Sequence, residues 1–146
     1  MKFNSLTKAS FTSRYKRFFA DFTSKNESIT AHCANTGSMM GLLVEKSPAL
    51  LSYHPNRPKL KYSFEAIQIN GHWVGVNTHN PNKLVHEYIE NGGLQNIFGI
   101  NKIIQREARI SENSKCDLLC KNFQDEEVFI EVKNVTLLEN DSIGLF

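Results

Sequence analysis

The chain has 146 residues and a mass of 16.6 kDa, with 40% hydrophobic and 22% charged residues, which fits one domain or two very small ones. Its longest apolar run, Met39-Met40-Gly41-Leu42-Leu43-Val44, falls far short of the ~20 residues a membrane span needs. The polar start lacks the apolar core of a secretory signal, and three cysteines, Cys33, Cys116 and Cys120, argue against a disulfide framework and for a reducing cytoplasm. The net charge of +2 is unevenly spread, +6 over residues 1–80 and −4 over residues 81–146. A basic half suits a polyanion partner, and an acidic half suits carboxylates gathered for metal binding or acid/base work.

The first half reads as strands and turns. Residues 14–22 alternate with period two and predict a half-buried strand. Lys25-Asn26 predicts a turn and residues 28–33 a second strand, followed by the turn signal Asn35-Thr36-Gly37-Ser38. Residues 40–44 and 50–54 are short apolar runs, and Pro55-Asn56-Arg57-Pro58 predicts a loop. Residues 61–69 and 72–77 form strands around an Asn70-Gly71 hairpin turn. Several short strands with little helix predict a small closed or nearly closed barrel. The second half changes character. Asn80 is placed to cap a helix that begins at Pro81. Leu84, Val85, Tyr88 and Ile89 recur at helical spacing, and Asn91-Gly92-Gly93 ends the run. Residues 103–110, 115–121 and 127–135 then predict three strands.

The last of these strands carries the chemistry. Val128, Ile130 and Val132 share one face, and Phe129, Glu131 and Lys133 the other. If the strands of residues 115–121 and 127–135 pair as a hairpin, Asp117 lies beside Glu131. Two adjacent carboxylates repel and are eased by a divalent cation between them. Mg²⁺ prefers such oxygen ligands and keeps several waters, and a neighbouring lysine can position water or offset developing charge. This is the Asp…Glu-x-Lys pattern of the PD-(D/E)xK nuclease superfamily, although cross-strand Glu/Lys pairs are also common surface features. Glu107, on the preceding strand, is a candidate third acid; between Arg106 and Arg109 it reads equally well as a solvent-facing carboxylate.

Tyr15-Lys16-Arg17-Phe18-Phe19 interleaves cations with rings, as in barrels that bind single strands by stacking and phosphate contact. Arg14 adds to this segment, and Lys59 and Lys61, with Tyr62, form a second basic element. A strand with core aromatics and solvated cations would look the same. The Cys116–Cys120 spacing has no second pair to make a zinc site, and no phosphate-binding glycine loop is present.

Assembled, these stretches resemble the sugar fermentation stimulation protein family. The resemblance rests on Arg14-Tyr15-Lys16-Arg17-Phe18-Phe19-Ala20-Asp21 and on His32-Cys33-Ala34-Asn35-Thr36-Gly37-Ser38-Met39-Met40-Gly41. It continues through Arg57-Pro58-Lys59-Leu60-Lys61-Tyr62-Ser63-Phe64-Glu65, Val74-Gly75-Val76-Asn77-Thr78 and Pro81-Asn82-Lys83-Leu84-Val85. It closes on Arg106-Glu107 and Ile130-Glu131-Val132-Lys133-Asn134-Val135-Thr136-Leu137. The resemblance implies an N-terminal all-β OB-fold barrel over residues 1–80. It implies an incomplete α/β PD-(D/E)xK nuclease-like domain over residues 81–146.

It further implies DNA binding, a link to regulation of sugar metabolism, and Mg²⁺-dependent nuclease activity. Asp117, Glu131 and Lys133 would be the catalytic core, with Asp117 and Glu131 as metal ligands and Glu107 as a further acid. Arg14, Tyr15, Lys16, Arg17, Lys59 and Lys61 would serve nucleic acid. Cys116 and Lys115 depart from the family's usual apolar residue and arginine. Family members also continue, through a helix and a strand, past the point where this chain stops at Ser142-Ile143-Gly144-Leu145-Phe146. Two expectations stand side by side: a truncated DNA-binding protein, or a nuclease that is completed by a second chain or a homo-oligomer, or is inactive.

Overall fold

A computed structural model describes residues 1–3, 5–139 and 143–145. Of the stretch expected to open the family continuation, Ser142 and Phe146 lie outside the described residues. The chain divides into two compact units. One comprises Lys2–Thr78 with Asn134–Phe146, and the other His79–Lys133 with Met1.

The first unit is built on β1 (Leu6–Tyr15), β2 (Phe19–Ser24), β3 (Glu27–His32), β4 (Pro48–Tyr53), β5 (Tyr62–Ile69) and β6 (His72–Gly75). The sheet order is β3-β2-β1-β4-β5-β6, and a parallel β3–β5 pairing, Ala31 with Tyr62 and His32 with Ser63, closes it on itself. The result is the expected small barrel, here of five strands, with β6 added as a hairpin strand on β5. Two tight turns use residues that tolerate positive φ: Asn26 at 66°, after Lys25 at 49°, and Asn70-Gly71 at 50° and 81°. Alternate residues point inward, so Ala20, Phe22, Leu51, Phe64 and Ile67 are all 0% exposed. The rings of Phe11, Phe22 and Phe64 meet at centroid distances of 4.9–6.2 Å and anchor the core. In the same unit a short antiparallel pair joins β10 (Leu137–Glu139) and β11 (Ile143–Leu145), which no periodicity marked.

The single strand predicted for residues 14–22 is two strands. Lys16 and Arg17 take φ values of 48° and 63°, and the chain reverses so that Tyr15 pairs with Phe19. No glycine, asparagine or proline marks this turn, and the alternation runs through it unbroken, so the pattern reads as one strand. The apolar run of residues 40–44 forms turns, with only Leu42 of that run in the core.

The second unit contains α1 (Asn80–Glu90), α2 (Gln95–Phe98), β7 (Ile100–Arg109), β8 (Lys115–Asn122) and β9 (Glu127–Ile130). His79, not Asn80, holds the N-cap position; Asn80 is the first helical residue and Pro81 follows it. The short α2 was not expected; it ends at Gly99, whose φ of 65° stops the helix and turns the chain into β7. The sheet is an antiparallel meander, β7-β8-β9. One face buries Ile100, Leu118 and Cys120 against Ile89 of α1, joined by Val85, Leu94, Ile103, Val128 and Ile130. The last predicted strand ends early. β9 stops at Ile130, although alternating burial continues through Val132, because the next ladder partner is replaced by a side chain, as described below.

Candidate functional site

Each unit carries one cluster of the predicted residues. In the second unit the register builds an acidic row. β8 and β9 pair Leu118 with Ile130 and Leu119 with Phe129, and the ladder stops one position short of Asp117 and Glu131. On the other side of β8, Arg106 pairs with Leu118 and Ala108 with Cys116, which sets Glu107 opposite Asp117. Asp117 Oδ2 accepts a hydrogen bond from the Val132 backbone N–H at 2.7 Å, and Oδ1 accepts from Asn82 Nδ2 at 2.7 Å. The carboxylate therefore replaces a backbone carbonyl as partner of Val132, which accounts for the end of β9. Lys133 Nζ donates to Glu131 Oε1 at 2.6 Å. That hydrogen bond, opposed by desolvation and helped by the charges of Glu131 and Asp117, raises the Lys133 pKa above the ordinary lysine value.

Glu107 shares the row in register, but its φ of 47° interrupts the extended backbone there. Among the described residues no three His, Cys, Asp or Glu side chains converge as a metal site. The two acids expected to hold a metal are Asp117 and Glu131. Two carboxylates of this kind suit a hard divalent cation that keeps most of its own waters.

In the first unit the predicted basic residues gather at one rim of the barrel. Phe19 pairs with His32, and His32 with Ser63. The β1–β2 turn, the segment after β3 and the start of β5 therefore lie at the same end, and Lys61 precedes Tyr62 there. Lys16 and Arg17 are exposed on the turn, as are Lys59 and Lys61 on the β4–β5 connection. Tyr15, 42% exposed, stacks on Phe19 at 5.4 Å, and Phe18 is 48% exposed. Arg14 behaves differently. Its Nη1 donates to Gly37 O at 2.9 Å, its Nη2 to Asn35 O at 2.7 Å and Arg17 O at 3.0 Å, and its Nε also to Arg17 O at 3.2 Å. Beneath it, burial pushes the Cys33 thiol up in pKa, with Arg14 opposing.

Comparison with known proteins gives these clusters a context. Residues 13–76 match the family described as SfsA N-terminal OB domain, and residues 79–146 match the Sugar fermentation stimulation protein RE domain. The chain belongs to the sugar fermentation stimulation protein family. Family homologues from Geotalea uraniireducens (strain Rf4) and Geotalea daltonii are 47% and 46% identical over 138 and 136 residues, which is 92% and 91% of this chain. The chain spans 58% and 57% of the length of those curated relatives. A solved structure, that of Pyrococcus furiosus SfsA in complex with Ca²⁺, superposes with a TM-score of 0.81 at 25% identity, over 95% of this chain and 58% of that one. The barrel unit of this family member is accordingly an OB domain. None of its described helices is long and apolar enough to cross a membrane.

Two features of this family member escaped the sequence reading. Asn82, whose amide holds Asp117, stands in the first turn of α1 and belongs to no chemical motif. Glu65 is 6% exposed and accepts hydrogen bonds from Ser52 Oγ at 2.5 Å and Asn77 Nδ2 at 2.9 Å, with His54 Nε2 2.8 Å from the same Ser52 hydroxyl. Its signal was present: an acid set inside the apolar run of β5, where a charge must be paired or hydrogen-bonded.

Proposed function

We propose that this chain is a DNA-binding member of its family, linked to regulation of sugar metabolism and acting in the cytoplasm. The observation that carries the reading is the rim of the OB barrel, where the exposed cations Lys16 and Arg17 stand beside the exposed rings of Tyr15 and Phe18. Cations neutralise phosphates and release counterions, and rings stack on unpaired bases. Lys59 and Lys61 extend the basic surface at that rim. Binding of single- and double-stranded oligonucleotides should weaken steeply as salt rises, and replacing both Lys16 and Arg17 by alanine should flatten that dependence. Affinity that does not change with salt would reject phosphate contact.

A second reading is favoured by a specific geometry, the Asp117 carboxylate on the Val132 N–H with Lys133 Nζ on the Glu131 carboxylate. It would make residues 81–146 a PD-(D/E)xK nuclease-like domain. Asp117 and Glu131 would hold Mg²⁺; the Ca²⁺ named for the Pyrococcus relative, another hard cation with oxygen ligands, supports that class of ligand. When bound, Mg²⁺ would neutralise phosphate charge and acidify a water. The chain's own residues do the rest. Asn82 and the Val132 N–H orient Asp117, Glu107 offers a further carboxylate in the same row, and Lys133 keeps its proton and stabilises charge that develops on the phosphoryl oxygens. DNA cleavage that requires Mg²⁺ and is abolished in Lys133→Ala would support the reading. Equal cleavage by wild type and variant would reject it.

A further inference from the structure

The Arg14 guanidinium reaches two separate segments of the barrel rim. It holds the carbonyl of Arg17 in the β1–β2 turn with two nitrogens, and the carbonyls of Asn35 and Gly37 with the other donors of the same plane. The turn has no strand partner of its own. Lys16 and Arg17 both sit at positive φ, a conformation that long side chains adopt only under constraint. A second tie runs in parallel, from the Cys33 backbone N–H to the Phe18 carbonyl at 2.8 Å. The segment after β3 is set in turn by Asn35, whose Oδ1 accepts the Gly37 N–H at 2.8 Å and whose side chain is mostly buried.

We infer that Arg14 is a positioning residue rather than a phosphate ligand: it clamps the β1–β2 turn to residues 35–37, so that Lys16, Arg17 and Phe18 are presented to a nucleic acid in one fixed arrangement. The inference rests on the nucleic-acid reading above and changes the role of one residue within it. The guanidinium is suited to this by its planar fork, which meets several carbonyls at once; a lysine at the same place keeps the charge but has no such fork. Preorganisation of the turn matters because binding would otherwise have to order a short loop with two long side chains.

The chemistry separates clamp from ligand. A phosphate ligand contributes to the salt dependence, with a slope of about −0.7 per contact on a single strand. A clamp contributes to affinity but not to that slope. Binding of a 5′-labelled single-stranded oligonucleotide would be measured across a salt series for wild type, Arg14→Lys, Arg14→Gln and Arg17→Gln. Arg14→Lys and Arg14→Gln should both weaken binding by about tenfold, comparable to one charge-assisted hydrogen bond, with the salt slope of wild type. Arg17→Gln should lower the slope. Without any DNA, limited trypsin digestion of wild type and Arg14→Lys should differ at the Lys16 and Arg17 bonds, the turn being cut several-fold faster in the variant. Circular dichroism of Arg14→Lys, with the wild-type strand spectrum, shows that the barrel itself is intact.

If Arg14→Lys binds like wild type, or Arg14→Gln lowers the slope as Arg17→Gln does, the positioning role is overturned while DNA binding stands. Unchanged trypsin cutting overturns the clamp directly. Failure of the wild-type chain to bind any oligonucleotide overturns the nucleic-acid reading itself and the positioning role with it.

Discussion

The two units of this chain bury their hydrophobic residues in different ways. The OB barrel closes on itself through the β3–β5 pairing, so its inward residues are enclosed on every side; among the described residues its core holds twelve buried side chains, Phe11, Phe22 and Phe64 at the centre. The second unit is an open three-stranded meander covered by α1 on one face, and its core holds four. Its other face presents Ile104 and Phe129, the latter 49% exposed, to solvent. Closure removes edges, whereas an open sheet has two faces and needs a layer on each to bury both. The barrel is therefore the more rigid platform. The acidic row, in contrast, sits on strands whose cover is one-sided.

The sharpest way to break that comparison is to hollow out each core. Phe64→Ala removes a fully buried ring from the barrel and should cost about 3–5 kcal/mol, seen as loss of amide protection throughout β1 to β5. Leu118→Ala should cost about 2–3 kcal/mol, near the low end for leucine, because an open sheet relaxes more readily around a cavity. Hydrogen exchange of the two variants would report this, and a larger loss from Leu118→Ala would reverse the ranking. A smaller effect is expected at Glu65. Glu65→Ala leaves the Ser52 hydroxyl and Asn77 amide without their carboxylate, at about 1–3 kcal/mol, measurable as a lower denaturation midpoint.

The smallest effect concerns pH. The Lys133 pKa is raised above its ordinary value of 10.5, first by its hydrogen bond to Glu131. The charged form is thus favoured in the folded chain. The stabilisation it brings is complete below the ordinary lysine pKa and is lost as pH rises through the raised folded value. An NMR titration of the Lys133 side chain should find a midpoint above 10.5, and Glu131→Gln should return it to the ordinary range. A midpoint unmoved by Glu131→Gln would dissolve the pair.

Much of the fold was legible because its signals are local. Asn70-Gly71 and Asn26 mark hairpin turns through their tolerance of positive φ, and Val85 and Ile89 mark the buried face of α1. The turn at Lys16-Arg17 was not legible, since two basic residues carry no turn chemistry and are held there by Arg14 from the neighbouring strand and by residues 35–37 from beyond the next. The same holds at Asp117. Its spacing from Glu-x-Lys suggested a place beside Glu131, and its carboxylate accepts from the backbone of Val132, the residue after Glu131. Its hydrogen bonds from Asn82 and Val132, 35 and 15 residues away, had no mark in the local pattern.

By itself, then, the amino-acid sequence determined β3 to β6, α1 and β7 to β9, the charge of each half and the residue types at both clusters, because periodicity, turn preference and side-chain chemistry act over a few neighbours. The tertiary structure alone decided that the barrel closes through β3 and β5. It decided that Lys16, Arg17, Phe18 and residues 35–37 share one rim, and that Asn82 and Val132 hold the Asp117 carboxylate. Strand register and long-range hydrogen bonds set these arrangements, and both depend on partners far away along the chain.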